Sequence, residues 1–412
     1  MFKKDTQYYR FCAYGFLKNL RFFEPFLILI LHAEGLSFTQ IASLYAIREI
    51  ARNIMEIPAG VFADTFGRRR SMILAFTSYL FSFATFFLGG SYLMFIPAFL
   101  LYAVGDAFRT GTHKAMIFTH LQINSWEDFK VSYYGQTRSW SQIGSAISAL
   151  GAGIIVLLTR EYKLIFLITI LPYLLDLVNL ASYPKNLEGS HVNQNRIRIF
   201  PALKSTISDF VIAFSNRGLR KTVLGLSIYT GYYKAVKDFI QPIIQLFALS
   251  LPLWASRTDE QRTAVMVGLV YFILYMSSSF VARRSGLFVK KFPDARSALS
   301  MTVIIGVITG LISGLLILFG LNFLALIFFA GIYLVENLRK PVGIGKIADQ
   351  LDPRILASAL SAESQAETLF AAIFVLILGL LIDCFGLGWG IFCLSLIILL
   401  IKLLSSNTWT DT

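Results

Sequence analysis

The chain has 412 residues, 56% of them hydrophobic and 15% charged, with a formal net charge of +13 and a mean hydropathy of +0.65. Soluble domains run at about 45–50% apolar and about 25% charged residues, so a single globular core is excluded. Apolar stretches of about 20 residues recur along the chain, the length that crosses a bilayer as helix, and the strict alternation of a membrane barrel is absent.

In chain order the expected spans are 11–33, 39–62, 71–89, 92–117, 134–158, 164–183, 222–249, 263–282, 297–319, 321–341, 356–382 and 387–405. The fold class expected is an all-α membrane protein with twelve transmembrane helices. Met1 to Arg10 is polar, so no cleavable leader is expected. The composition break at 184–221 divides the chain into an N-terminal six-helix bundle (1–183), a cytoplasmic linker and a C-terminal six-helix bundle (222–412). Within the linker Phe200, Leu203, Ile207, Phe210, Val211 and Phe214 recur at helical spacing, the pattern of an amphipathic surface helix.

Cations gather in alternate loops: Lys3, Lys4 and Arg10 before span one, Arg68 to Arg70 after span two, Arg196 to Lys221 after span six, and Arg283 to Lys291 after span eight. That bias places both termini in the cytoplasm of a bacterial inner membrane. It also accounts for the net positive charge, which in a soluble chain would suggest nucleic acid; no nucleic-acid partner is expected. Cys12, Cys384 and Cys393 form no paired motif, and the four histidines lack metal-ligand spacing, so neither metal nor cofactor is expected. Without a His/Cys cluster, HExxH or GxSxG motif, an enzyme is not expected either.

The halves echo each other. Gly15-x-x-Lys18-x-x-Arg21, then Phe23 and Pro25, matches Gly231-x-x-Lys234-x-x-Lys237, then Phe239 and Pro242. Gly60, Phe62, Phe66, Arg70 and Ser71 align on Gly286, Phe288, Phe292, Arg296 and Ser297, and Ser141-Gln142 on Ser364-Gln365. A duplicated six-span unit in parallel orientation is a transporter architecture.

Charges within the spans carry the functional expectation, since each costs about 2.5–3.5 kcal/mol at mid-bilayer on insertion scales. Arg21/Glu24, Glu49/Arg52 and Asp106/Arg109 are three apart, and Arg52/Glu56 and Lys234/Asp238 four apart, so each pair can meet on one helix face. Internal pairing between packed helices is one reading of them; a solute site is the other. Arg138, Arg339 and Lys340 near cytoplasmic ends are expected to snorkel. The candidate substrate-binding set is Arg21, Glu24, Arg52, Asp106, Arg109, Lys237, Asp238 and Glu336. Arg21 and Lys237 are equivalent in the repeat, near bends expected at Pro25 and Pro242, and favour an anionic or zwitterionic solute. For a coupling proton the candidates are Glu363 and Glu367, four apart with no cation on their face, then Glu24 and Asp106. The alternative for Glu363 is that it faces cytoplasmic water.

Gly60-x-Phe62-Ala63-Asp64-x-x-Gly67-Arg68-Arg69 resembles the loop between spans two and three of the major facilitator superfamily. The resemblance implies two pseudo-two-fold-related six-helix bundles working by alternating access, with spans one, four, seven and ten lining the cavity. It implies a gating role for Gly60, Asp64, Gly67, Arg68 and Arg69, with Gly60 allowing close helix approach. The second copy carries Lys290 where Asp64 stands, and span five has only Gly144, Gly151 and Gly153 where antiporters carry a GPxxG-type motif. The expectation is a monomeric secondary transporter in the lipid bilayer, moving a small organic solute coupled to protons or another ion. Export is favoured; proton-coupled import of an organic anion or zwitterion, or lipid flipping, are the alternatives.

Overall fold

The computed structural model of the protein describes residues 2–188, 217–252, 256–350 and 353–409; the surface helix expected within 200–214 lies outside them. Among the described residues every regular element is helical. In chain order these are α1 (Thr6–Lys18), α2 (Leu27–Ala33), α3 (Phe38–Phe66), α4 (Arg68–Leu88), α5 (Tyr92–Arg109), α6 (Thr112–Ile123), α7 (Lys130–Thr159) and α8 (Leu164–Ala181). They continue as α9 (Arg217–Val236), α10 (Ile240–Ser250), α11 (Asp259–Arg283), α12 (Ser285–Val289), α13 (Ala295–Leu318), α14 (Asn322–Gln350), α15 (Pro353–Phe385) and α16 (Leu387–Trp409).

Nine of the described helical stretches are long and apolar enough to cross a membrane. Spans one, two and seven are the three that fail that test. α3 fails because it carries Arg48, Glu49, Arg52, Glu56 and Asp64 along its 29 residues. Span one fails because it is broken in two, and span seven, broken likewise, also carries Lys234, Lys237 and Asp238 around its break. α1 stops at Lys18, a 3-10 turn at Glu24–Phe26 with Pro25 in its first turn follows, and α2 resumes at Leu27. α9 stops at Val236, a 3-10 turn occupies Lys237–Phe239, and α10 resumes at Ile240 with Pro242 in its first turn. Proline has no amide hydrogen and fits the first turn of a helix, where none is needed, so each proline restarts its span. With these three the described residues hold twelve spans.

Span four departs from the continuous 92–117 helix. Gly111 at φ 78 separates α5 from α6, and Thr110 turns back to donate to the Asp106 carbonyl at 2.7 Å. A positive φ suits glycine and ends a helix at this position.

The described residues form two compact units, one from 2–27 and 50–188, the other from 28–49, 217–252, 256–350 and 353–409. The same partnerships recur within each. In the first, α1 packs on α7, and α4 on α5 and α8; in the second, α9 packs on α15, and α13 on α14 and α16. Span one on span five thus matches span seven on span eleven. The glycines of the repeat sit at these crossings. A Cβ on Gly15 would meet the Thr137 carbonyl at 3.0 Å, and one on Gly144 the Phe16 carbonyl at 2.5 Å; on Gly231 it would meet Phe370 Cβ at 2.5 Å. Small residues let helix backbones approach where lipid supplies no hydrophobic drive.

Ile28–Glu49 belongs to the second unit through bonds distant in sequence. Gln241 Oε1 accepts the Ile28 amide at 2.8 Å, and the Asp383 carboxylate accepts the Phe38 and Thr39 amides at 2.9 and 2.8 Å. Asp383 thereby caps α3, giving its free first-turn donors a negative charge at the positive end of the helix dipole.

Candidate functional site

The break in span one sets the geometry of the first unit. Arg21 falls between α1 and the 3-10 turn, and its Nε lies 3.4 Å from Glu24 Oε2 while its Nη1 donates to Tyr102 Oη at 3.1 Å. On span four Arg109 Nη2 donates to Asp106 Oδ1 at 3.0 Å. Tyr79 on α4 completes a triad, donating to the same Asp106 oxygen at 2.6 Å and accepting from Arg109 Nε at 3.0 Å. Of the three pairs expected three residues apart, Arg21/Glu24 and Asp106/Arg109 therefore form, although span one is not helical where its pair sits. Lys18 stands within electrostatic reach of both pairs, and Arg52 within reach of Asp106. All six side chains are half-buried. Three cations (Lys18, Arg21, Arg109) here face two carboxylates (Glu24, Asp106), beside the hydroxyls of Tyr79, Tyr102 and Tyr173.

In the second unit Lys237 Nζ lies 3.3 Å from Asp238 Oδ1, and the Lys237 carbonyl accepts from Tyr333 Oη at 2.6 Å. The expected Lys234/Asp238 pair does not form. α9 ends at Val236, so the four-residue spacing no longer brings the two together, and Lys234 instead reaches Glu367 Oε2 on α15 at 2.8 Å. Lys340 Nζ lies 3.8 Å from the same oxygen. The expectation that no cation faces Glu363 and Glu367 is thus corrected at Glu367: cations on spans seven and ten, invisible in the spacing of span eleven, converge on it. Glu363, half-buried, stands within hydrogen-bonding reach of the Glu367 carboxyl.

Arg339 is a second correction. It does not snorkel: it is 2% exposed, and donates through Nη2 to the Gly225 carbonyl at 2.7 Å and through Nη1 to the Leu226 carbonyl at 3.1 Å. Glu336, also buried, accepts from Thr230 at 3.0 Å and lies 3.9 Å from Arg339. In span two Glu49 pairs with its neighbour Arg48 at 3.0 Å, and the Arg48 guanidinium lies 4.7 Å from the centre of the Tyr45 ring.

At the loop between α3 and α4, Gly67 adopts φ 98 and begins α4. A Cβ there would meet Glu188 Oε2 at 2.9 Å. Glu188 ends the 3-10 turn Lys185–Glu188 and lies 3.9 Å from Arg69, whose Nη1 donates to the Tyr183 carbonyl at 3.1 Å. Arg68 donates to Thr119 Oγ1 on α6 at 2.7 Å. The loop is therefore tied to the ends of spans four and six. Asp64 is exposed, and a Cβ on Gly60 would meet nothing within 4 Å among the described residues. Close approach is not what Gly60 provides here.

Sequence reasoning missed Tyr79, Tyr102, Glu188 and the cross-helix role of Lys234. A signal existed for the tyrosines, polar tips inside apolar spans that need buried partners. None existed for Glu188, whose partner depends on how the end of span six folds back.

A sequence profile described as the MFS_1 like family matches residues 10–376. Over 248 residues the chain is 24% identical to the MFS-type transporter YxaM of Bacillus subtilis (strain 168), a match covering 57% of this chain and 58% of that relative's length. Among solved structures, the nucleoside transporter NupG superposes with a TM-score of 0.73 at 12% identity, covering 98% of this chain and 97% of that one. A POT family transporter in complex with 5-aminolevulinic acid gives 0.73 at 14% identity, with coverage of 98% and 97%. A D-xylose-proton symporter gives 0.66 at 15% identity, with coverage of 98% and 96%.

Proposed function

Since the chain belongs to the MFS_1 like family, membrane transporters with the fold described above, we propose that it moves a small organic anion or zwitterion by alternating access, coupled to protons. The observation that carries the substrate class is the cationic excess of this cluster, Lys18, Arg21 and Arg109 against Glu24 and Asp106, half-buried among tyrosine hydroxyls. Charge at this depth in apolar helices is costly unless it is used or matched, and an anionic group would match it. Arg21 and Lys237 are its proposed ligands. Glu24, Arg52, Asp106, Arg109 and Asp238 orient or tune them, and Glu336 is proposed as a support held by Arg339.

The coupling proton is assigned to Glu363 and Glu367. Two carboxyls within hydrogen-bonding reach of each other share a proton more readily than they hold two charges, and Lys234 and Lys340 beside Glu367 direct that proton toward Glu363. The gating role is assigned to Asp64, Gly67, Arg68 and Arg69, and Gly60 is kept as part of that motif. We assign export, on the completeness of the loop between α3 and α4, in a bacterial cytoplasmic membrane with both termini cytoplasmic.

The test is transport of labelled organic anions, zwitterions and neutral sugars into vesicles reconstituted with the protein, under pH gradients of both signs. Saturable, gradient-driven movement of anions or zwitterions is expected, reduced in affinity by Arg21→Gln and by Lys237→Gln. Undiminished affinity in both variants would sink the substrate assignment. The sign of the driving gradient separates export from import, and movement of labelled phospholipid in its place would indicate a flippase.

A further inference from the structure

Asp176 lies on α8 and is fully buried. Its Oδ1 accepts from Asn179 Nδ2 at 3.1 Å, and its Oδ2 has no hydrogen-bond partner among the described residues. The groups that face it come from two neighbouring segments besides its own helix. α1 contributes Tyr14 and Lys18, and Tyr183 lies just beyond α8. His113 of α6 stacks on Tyr14 with ring centres 3.5 Å apart and lies 3.2 Å from Tyr183 Oη. α4 presents Phe76 and Tyr79 to Tyr173, one turn before Asp176. Among the described residues Lys18 is the one cation with electrostatic reach to it, and no ion pair joins the two there.

An ionised carboxylate with a dry, unpartnered oxygen carries a penalty far above that of a neutral acid, for which one unmet polar atom costs about 1–3 kcal/mol. Removing the charge is therefore the less costly state. Lys18 occupies a telling position in the chain. It is the last residue of α1, its carbonyl accepts from Tyr173 Oη at 3.0 Å, and its ammonium has electrostatic reach both to Asp176 and to the Arg21, Glu24, Asp106 and Arg109 cluster.

We propose that Asp176 is a proton-binding site, neutral in this conformation, and that on losing its proton to water it draws the Lys18 ammonium into an ion pair. Because Lys18 ends α1 at the break in span one, its movement toward Asp176 removes one cation from beside Arg21. Proton release at Asp176 thereby alters the charge offered to a solute in the first unit. The inference stands apart from Glu363 and Glu367, which lie in the other unit.

The test is infrared spectroscopy of the purified full chain in lipid, in a Glu363→Gln background that removes the acid toward which Lys234 and Lys340 direct the coupling proton. At neutral pH the carbonyl stretch of a protonated carboxyl is expected, absent in Asp176→Asn, whose melting temperature should match the parent because asparagine mimics the neutral acid. Should Asp176→Asn fail to fold, Lys18→Met provides the second reading. Without its ammonium the carboxylate is harder to form, so the band should persist to higher pH than in the parent. A band that survives Asp176→Asn, no protonated-carboxyl band at all, or a titration unmoved by Lys18→Met would each overturn the proposal.

Discussion

Lys234 Nζ lies 2.8 Å from Glu367 Oε2, joining span seven to span eleven just before span seven breaks. The pair sits one turn beyond Gly231, where the two helices approach closely enough that a Cβ would meet Phe370. Close packing and ion pairing coincide at this crossing. A double-mutant cycle with Lys234→Met and Glu367→Gln, read by thermal unfolding in detergent, should return a coupling energy of about 0.5–3 kcal/mol. A coupling near zero would show that the two groups are solvated independently.

The glycines separate into two classes by what surrounds them. Gly144→Val forces a side chain into the Phe16 carbonyl and should cost about 1–3 kcal/mol by overpacking. Gly60→Ala meets open space inside α3 and should hold or raise the melting temperature. Should Gly60→Ala nevertheless slow transport, its role lies in another conformation of the cycle.

Arg339 holds two backbone carbonyls of α9 and stands beside a buried glutamate. Arg339→Leu removes one charge of a buried pair and strands the other, a change that costs about 3–5 kcal/mol. The double substitution with Glu336→Leu should recover part of that loss. Lys340→Gln, on an exposed side chain, should change stability by less than about 0.5 kcal/mol. Melting temperatures of the four proteins decide the matter.

Gly67 combines a positive φ with a carboxylate at its back. Gly67→Ala should cost about 1–3 kcal/mol from the strained backbone, and transport should fall while equilibrium binding of the solute holds. Glu188→Ala clears the contact but not the φ, so it should restore only part of the loss in a Gly67→Ala background. Full restoration would mean that crowding by Glu188, and not the backbone, fixes glycine at this site.

Much of the fold could be read in the sequence, because a bilayer imposes one length on every span and demands that backbone polar groups be satisfied within it. The breaks in spans one and seven were foreshadowed by Pro25 and Pro242, and the repeat by Gly15 and Gly231. The site was legible where partners lie on one short stretch, as for Arg21 with Glu24 and Asp106 with Arg109. It was not legible where the helix stops. Lys234 and Asp238 have the spacing of a helical pair, but the turn at Lys237 sends them apart, and only the packing of α15 against α9 reveals Glu367 as the partner. Arg339 failed for a related reason. Its position near a helix end suggests escape to the interface, while the neighbouring helix offers bare carbonyls at Gly225 and Leu226.

The amides of Ile28, Phe38 and Thr39 are all sealed by side chains more than two hundred positions away, Gln241 and Asp383. Any movement that parts Ile28–Glu49 from the C-terminal helices must uncover the three together. Deuterium uptake at these sites therefore becomes a built-in reporter of the working cycle, needing no attached label. A solute that traps the chain with these contacts closed should slow their exchange in concert, and one that traps it open should speed it.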